Sequence, residues 1–422
     1  MSVEAISRFT GPVRASARQW LTLTGRKTVL VVAHTVTYGK RLLDVVSLLE
    51  SDFRIQVVFT TPPHELGDGT AGFLAGTGSA VVPWEEAVRT EFDLALAAGP
   101  RAMERLRSRV VLLPHGANFL KRLAGARTSQ VMGLRRRDVL PGGRSPAAVV
   151  LAHRDDLDAL ARSCPEALPV ASVVGDPARD RIVASLPHRD AYRAALGLAE
   201  GEKLITLTST WGPRSAFARF DLLLPRLMDQ VRGTGHRLAV LIHPNVWSGH
   251  GSRQVRAWLS CWAEQGLGIV PPDMDWRPVL CAADLIIGDH GSVTLYGTLT
   301  GAPILLAAAP EQEINPDSPA ADLAVLAPAL SPVHPLEEQL AYAAAEYRPS
   351  AYEAVSARIT SEPNRFDRNM RALLYTLLGL GQPAHEPVTR PLPPPERRRV
   401  WPGQGRDAGA VVVPGPGAGA AA

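Results

Sequence analysis

The chain has 422 residues, 46% apolar and 20% charged, which suits a globular protein with room for two buried cores. It contains no run of about eighteen apolar residues, which excludes a helical membrane span. Three widely spaced cysteines (Cys164, Cys261, Cys281) exclude a disulfide framework and a cysteine metal knuckle. The formal net charge is only +4, but ten Lys/Arg against one acid, Glu104, lie between Arg101 and Arg137. A stretch like that is either a solvated helix face or the footprint of an anionic partner.

Residues 1–26 carry Arg8, Arg14, Arg18 and Arg26 among Phe9, Trp20 and Leu21. They read as a short amphipathic basic helix, lying on the protein itself or on an anionic membrane surface. No apolar h-region precedes a cleavage site, so no secretory signal is expected. The expected location is cytoplasmic, with peripheral contact at the inner face of the membrane as one use of the basic segment.

From Lys27 the pattern becomes regular. Strands are expected at 28–34, 54–61, 80–84, 92–99, 109–116 and 145–154, with a helix over 39–52. The second half repeats this grammar. A strand or crossover at 169–176 is followed by strands at 203–210, 237–244, 267–272, 285–289 and 302–309. Helices are expected at 189–198, 220–235, 253–266, 275–284 and 292–301. Alternating strands and helices predict an α/β chain of two doubly wound, Rossmann-like domains facing a cleft, over 27–170 and 171–380. The Pro/Gly/Ala-rich residues 381–422 are expected to form a disordered tail.

Candidate site residues stand where strands end. In "LLPHGANFLKR", His115 ends a strand as a candidate general base, followed by Lys121 and Arg122 as holders of an anionic acceptor. In "AHTVTYGK", His34 is expected to face the cleft on the acceptor side. In "TSTWG", Thr210 is placed to contact phosphate, with Trp211 as core or base platform. In "LIHPN", His243 ends a strand and is read as a hydrogen-bond donor to a phosphate or leaving group. In "GDHGSVTLYGT", Asp289, Gly291 and Ser292 stand at a strand–helix junction, where free N–H groups favour an anion. Ordinary capping and satisfied buried histidines are the competing readings. The chain lacks a Walker loop, a GxGxxG and an HExxH, and Asp289–His290 has no third ligand nearby. No cofactor, no metal and no nucleic-acid partner are expected.

The order of these motifs resembles the CDP-glycerol glycerophosphotransferase family, teichoic-acid polymerase type, over roughly residues 110–310. "PHGANFLKR" resembles the family's "WHG-TPLK", and "VGDPARD" (174–180) its "GYPRND". "STWG" resembles "PTWR", His243-Pro244 its "LHP", and "AADLIIGDHGSVTLYGTLTGAPILL" its "ADVLITDYSS…KPVIF". The chain differs at His290-Gly291, at Gly212 in place of the motif's arginine (with Arg214 nearby), and by lacking the tryptophan before "HG". The resemblance implies a GT-B fold and a nucleotide-diphosphate-linked donor, CDP-glycerol or a CDP-alditol. It further implies transfer of a phospho-alditol to an acceptor hydroxyl in cell-envelope polymer synthesis. His115 and His243 would be catalytic, with Thr210, Asp289, Gly291 and Ser292 on the donor phosphates. A GT-B glycosyltransferase, a UDP-sugar 2-epimerase-like enzyme, and an inactive nucleotide-binding or scaffold protein are the alternatives.

Overall fold

The computed structural model describes residues 23–117, 119–122 and 131–401. Most of the expected N-terminal basic helix (1–22), part of the basic segment (123–130) and the end of the tail (402–422) lie outside the described residues.

The twelve strands among the described residues all fall on segments read as strands, or for β7 as a strand or crossover, with β1 and β9 each starting one residue earlier than expected. The first sheet holds β1 (Lys27–Val32), β2 (Ile55–Thr60), β3 (Val81–Val82), β4 (Leu94–Ala97), β5 (Val110–Leu112), β6 (Ala148–Leu151) and β7 (Ala171–Val173). They are parallel, in the order β3-β2-β1-β4-β5-β6-β7. The second sheet holds β8 (Lys203–Ser209), β9 (His236–Ile242), β10 (Gly268–Ile269), β11 (Leu285–Asp289) and β12 (Ile304–Ala308). It is parallel too, in the order β10-β9-β8-β11-β12. Helices cover both faces, so the strands read as unbroken apolar runs. Val29 and Val31 of β1 point into one core, and Leu30 and Val32 into the other. Strand order reverses between β1 and β4 and again between β8 and β11, and ligands of open α/β sheets bind at such points. No helix among the described residues is long and apolar enough to cross a membrane.

Two expected boundaries are corrected. The first domain does not end at residue 170, because β7 pairs with β6 and extends the first sheet. The helix Phe366–Leu378 also returns to the first domain, where Phe366, Met370, Leu374, Tyr375 and Leu378 complete the core around Val29 and Leu42. The second correction concerns residues 381–401, expected to be disordered. They form a strap across both domains. Leu392 donates its N–H to Ser185 Oγ (2.9 Å), and its carbonyl accepts from the Tyr192 hydroxyl (2.8 Å). Leu392, Val400 and Trp401 are buried in the second core. Composition misled here because a few anchoring side chains, spaced along a proline-rich extended chain, leave no period to detect.

The domains are joined by buried ion pairs. Asp44, on the helix Val36–Val46, accepts from Arg277 (2.8 and 3.1 Å) and from Arg181 (2.7 Å). The chain after β5 also crosses between them: Asn315 N–H donates to the Leu120 carbonyl (2.8 Å) and Arg122 N–H to the Glu313 carbonyl (2.9 Å). His115 is thereby carried from the end of a first-domain strand toward the second domain.

Candidate functional site

His115 follows β5 on the crossing loop and is exposed at the seam between the domains. Its imidazole stacks on Tyr38 (centroids 4.6 Å apart, 30° between planes) and is hydrogen-bonded to the Ala98 carbonyl. A carbonyl only accepts, so the ring nitrogen facing Ala98 carries the hydrogen and the other keeps a lone pair. Crowding by both domains, then the charge of Arg41, lower its pKa to about 4 against the Ala98 hydrogen bond, with Lys121 adding to the fall. At neutral pH His115 is an unprotonated base with a fixed tautomer.

His243 ends β9 and caps the helix Pro244–His250, its Nδ1 accepting the Asn245 N–H (3.1 Å). A backbone N–H only donates, so the neutral ring carries its hydrogen on Nε2. Burial, followed by the charges of Lys121, His115 and Lys40, lowers its pKa to about 3. The two histidines therefore stand in opposite roles, His115 as acceptor of a proton and His243 as donor of a hydrogen bond. At neutral pH two of these neighbours, Lys121 and Lys40, are cations, which makes the surroundings of His243 suited to an anion.

Lys121 lies on the second-domain side. Its Nζ donates to Thr210 Oγ1 (3.2 Å) and stands 5.3 Å from the Trp211 ring centroid. Burial lowers its pKa, opposed by Asp289 and Glu313. This placement brings Lys121, expected on the acceptor side, against the loop after β8. Arg122 is half-buried beside it. Lys40, on the helix Val36–Val46, crosses the seam to the Met274 carbonyl, and burial lowers it to about 8 against the pull of Asp275.

Ser292 is half-buried directly across from the "HG" loop: a Cβ placed on Gly116 would stand 2.7 Å from Ser292 Oγ. A side chain at Gly116 would have to displace the Ser292 hydroxyl. Ser292 is the first residue of the helix Ser292–Tyr296, and the cap is Gly291. Gly288 is required for room. The Thr208 and Thr294 hydroxyls are hydrogen-bonded to each other (2.8 Å) over it, and a Cβ would come within 2.5 Å of either.

Three expected contacts are overturned. Asp289 is 1% exposed, and its carboxylate accepts from the N–H groups of Thr210 (2.9 Å), Ala216 (2.9 Å) and Gly291 (3.1 Å) and from the Ser209 hydroxyl (3.3 Å). It braces the loop after β8, with its oxygens taken up by these donors and burial disfavouring its charge. Gly291 N–H is consumed by that same carboxylate, so Gly291 offers space and no donor. His34 is 1% exposed, with Nε2 at 2.7 Å from the Arg101 carbonyl, and packs edge-on against Tyr38 and His64; it does not face a ligand.

The departures from the family motif are occupied by other contacts. His290 is buried with Nε2 at 3.1 Å from Glu313 Oε2. Gly212 adopts φ +102°, a conformation that side chains rarely adopt, while the exposed Arg214 extends to Gln312 (3.3 Å) and Glu313 (3.7 Å). The motif reading missed Arg41, Tyr38 and Tyr296. They lie inside helices and act on residues 73 to 135 positions away, so no local pattern announces them.

Two doubly wound parallel domains whose strand ends meet at one seam define a GT-B architecture. Among solved structures, the chain is similar to the wall teichoic acid polymerase TagF. A TagF variant soaked with CDPG aligns with a TM-score of 0.58 at 12% identity, covering 85% of this chain and 89% of that one. Another TagF structure aligns at 0.52 and 13% identity, covering 84% and 88%. No protein-family model and no curated protein sequence matches the chain.

Proposed function

We propose that this protein is a transferase that uses a nucleotide-diphosphate-linked donor of the CDP-alditol class. It moves a phospho-alditol group to an acceptor hydroxyl, in cell-envelope polymer or related synthesis. The observation that carries this reading is the meeting of two histidines of opposite tautomer with Lys121 where the two sheets present their strand ends. In the reaction, the lone pair of His115 takes the proton of the acceptor hydroxyl. The oxygen attacks the phosphorus that bears the alditol, the P–O–P bond breaks, and CMP leaves with the bonding electrons. His243 Nε2–H donates to the departing phosphate, and Lys121 neutralises its charge. Ser292 and Thr210 hold the phosphate oxygens. Positioning and charge neutralisation supply most of the acceleration, as in other phosphoryl transfers.

The test is release of CMP from CDP-glycerol and CDP-ribitol with a polyol-phosphate acceptor, alongside a thermal-shift comparison with UDP-glucose. CMP release that disappears in His115→Gln supports the proposal. A shift with UDP-glucose alone replaces it with a sugar-nucleotide enzyme. Absence of any shift and any CMP leaves a scaffold.

A further inference from the structure

Arg41 lies on the helix Val36–Val46, 6% exposed, at the centre of a hydrogen-bonded chain that joins His115 to the second domain. Its Nε donates to the Pro114 carbonyl (2.9 Å) and its Nη2 to the Gly116 carbonyl (3.1 Å), so one guanidinium grips both residues that flank His115. The same Nη2 donates to Asp176 Oδ2 (2.7 Å). Asp176 is fully buried, and its other oxygen accepts the Arg179 N–H (2.7 Å), which caps the helix Pro177–Ser185. Oδ2 also accepts from the Tyr296 hydroxyl (2.8 Å). Tyr296, 2% exposed, closes the short helix that begins at Ser292. The path is therefore Ser292 helix, Tyr296, Asp176, Arg41, His115 loop.

Burial disfavours the charge on Arg41, but the carboxylate of Asp176, with Asp44 adding to it, holds it protonated. The planar fork reaches two carbonyls and a carboxylate from two separate, fixed nitrogens, whereas an ammonium presents its three donors from a single point on a flexible stem. Tyr38, on the same helix as Arg41, supplies the stack under His115, and Gly99 leaves room for it, since a Cβ there would meet the Tyr38 ring at 2.6 Å.

We propose that Arg41 is the positioning residue for His115, and that Asp176 and Tyr296 make that positioning depend on the two domains being seated against each other. The base is aimed only when the helix carrying Ser292 is docked, which ties acceptor activation to an assembled donor side. This rests on the reading of His115 as the base, and the experiment separates the two.

Full-length wild type, Arg41→Lys and Tyr296→Phe are labelled with 13C at histidine Cε1, and the His115 signal is assigned through His115→Gln. CMP release from CDP-glycerol is measured on the same samples. Stacking on Tyr38 displaces the His115 signal by ring current. Arg41→Lys keeps the charge and loses the fork, so the signal moves to the position of an unstacked histidine and kcat falls by about a hundredfold at little changed KM. Tyr296→Phe, a milder change in a packed position, moves the signal the same way by less. A folded Arg41→Lys with an unmoved His115 signal and wild-type kcat overturns the proposal. If Arg41→Lys does not fold, an unmoved signal in folded Tyr296→Phe overturns it. If wild type releases no CMP, the transferase reading fails, and the ring-current signature alone decides whether Arg41 positions His115.

Discussion

Asp289→Asn tests whether this carboxylate is a brace or a ligand contact. Its Oδ2 accepts from Thr210, Ala216 and Ser209, and its Oδ1 from Gly291 and, at 3.1 Å, also from Thr210. Asparagine has one acceptor oxygen. The better of its two orientations puts that oxygen in the Oδ2 position and turns the amide NH2 toward the Gly291 N–H. Two donors then face each other in a buried site, and the remaining bonds lose their charged partner. An unsatisfied buried donor costs about 1–3 kcal/mol, and a hydrogen bond to a charged group contributes about 1.5–3 kcal/mol. A loss of roughly 2–4 kcal/mol is expected once the relief of burying a charge is set against it. For a domain of about 150–250 residues each kcal/mol moves Tm by about 2–4 °C, so a fall on the order of 10 °C is expected. Differential scanning calorimetry measures the fall, and isothermal titration with CDP-glycerol measures any change in binding. If Asp289 instead lined the phosphate site, removing its charge would tighten an anionic ligand at nearly constant Tm. That combination would refute the brace.

The remaining predictions concern the histidines and the strap. Because His115 is held at about 4 by crowding and then by Arg41, with Lys121 acting the same way and Ala98 opposing, it stays a free base on acidification. The acid limb of kcat/KM should accordingly lie well below pH 6.5, flat from pH 8 to about 5; a limb at 6.5 would remove His115 from the base role. His34 is lowered from 6.5 to about 4 by burial, against its hydrogen bond to the Arg101 carbonyl. The unfolded chain then binds the extra proton below pH 6.5, so the His34 contribution is complete above that pH and lost as pH falls toward 4. Between pH 7 and pH 5 the His34 share of the loss is about 2 kcal/mol in urea unfolding, beside similar shares from His115 and His243, and His34→Gln, which keeps a donor for Arg101, should reduce the total loss by that share. Trp401→Ala should destabilise the protein by about 3–5 kcal/mol, since the ring is 3% exposed and a Cβ on Gly268 would lie 2.7 Å from it; an unchanged Tm would mean that the strap is dispensable.

The sheet architecture was legible because both faces of each sheet are covered. Strands such as "TVLVV" and "LIIGD" become uninterrupted apolar runs, and each ends at a glycine, proline or polar residue where the chain turns. The candidate site was legible in part for the same reason, since function collects at strand ends: His115, His243, Thr210 and Ser292 all stand there. What position alone could not reveal is the direction of each side chain. His34 and His115 end strands of one sheet, yet His34 is 1% exposed and bonded to Arg101 while His115 reaches the seam. Asp289 and Ser292 are three residues apart, yet one turns under the loop after β8 and the other toward Gly116. The deciding contacts come from elements remote in sequence, and Arg41 shows this most fully, with every partner at least 73 positions away.

The same contacts bear on the departures from the family motif at 212, 290 and 291. Each is matched by a neighbour. A Cβ on Gly291 would stand 3.0 Å from Thr210 Cβ and 3.1 Å from Asp289 Oδ1, so the braced loop fills the space that a serine there would need. Gly212 takes a backbone conformation unsuited to the motif's arginine, and Arg214 reaches Glu313 from two residues on. Glu313 also meets His290, which turns that imidazole away from the phosphate side and toward the rim. Glu313 lies on the segment whose carbonyl receives Arg122 N–H, so this rim is built on the strand-like crossing that carries Lys121. Decay of an unused site would leave such positions free to vary independently. Here a histidine, an arginine and a shared carboxylate are instead bound to one another beside the Lys121 crossing, and on the proposed transferase reading the face formed by Trp211, Arg214 and Gln312 is where a donor would be sought.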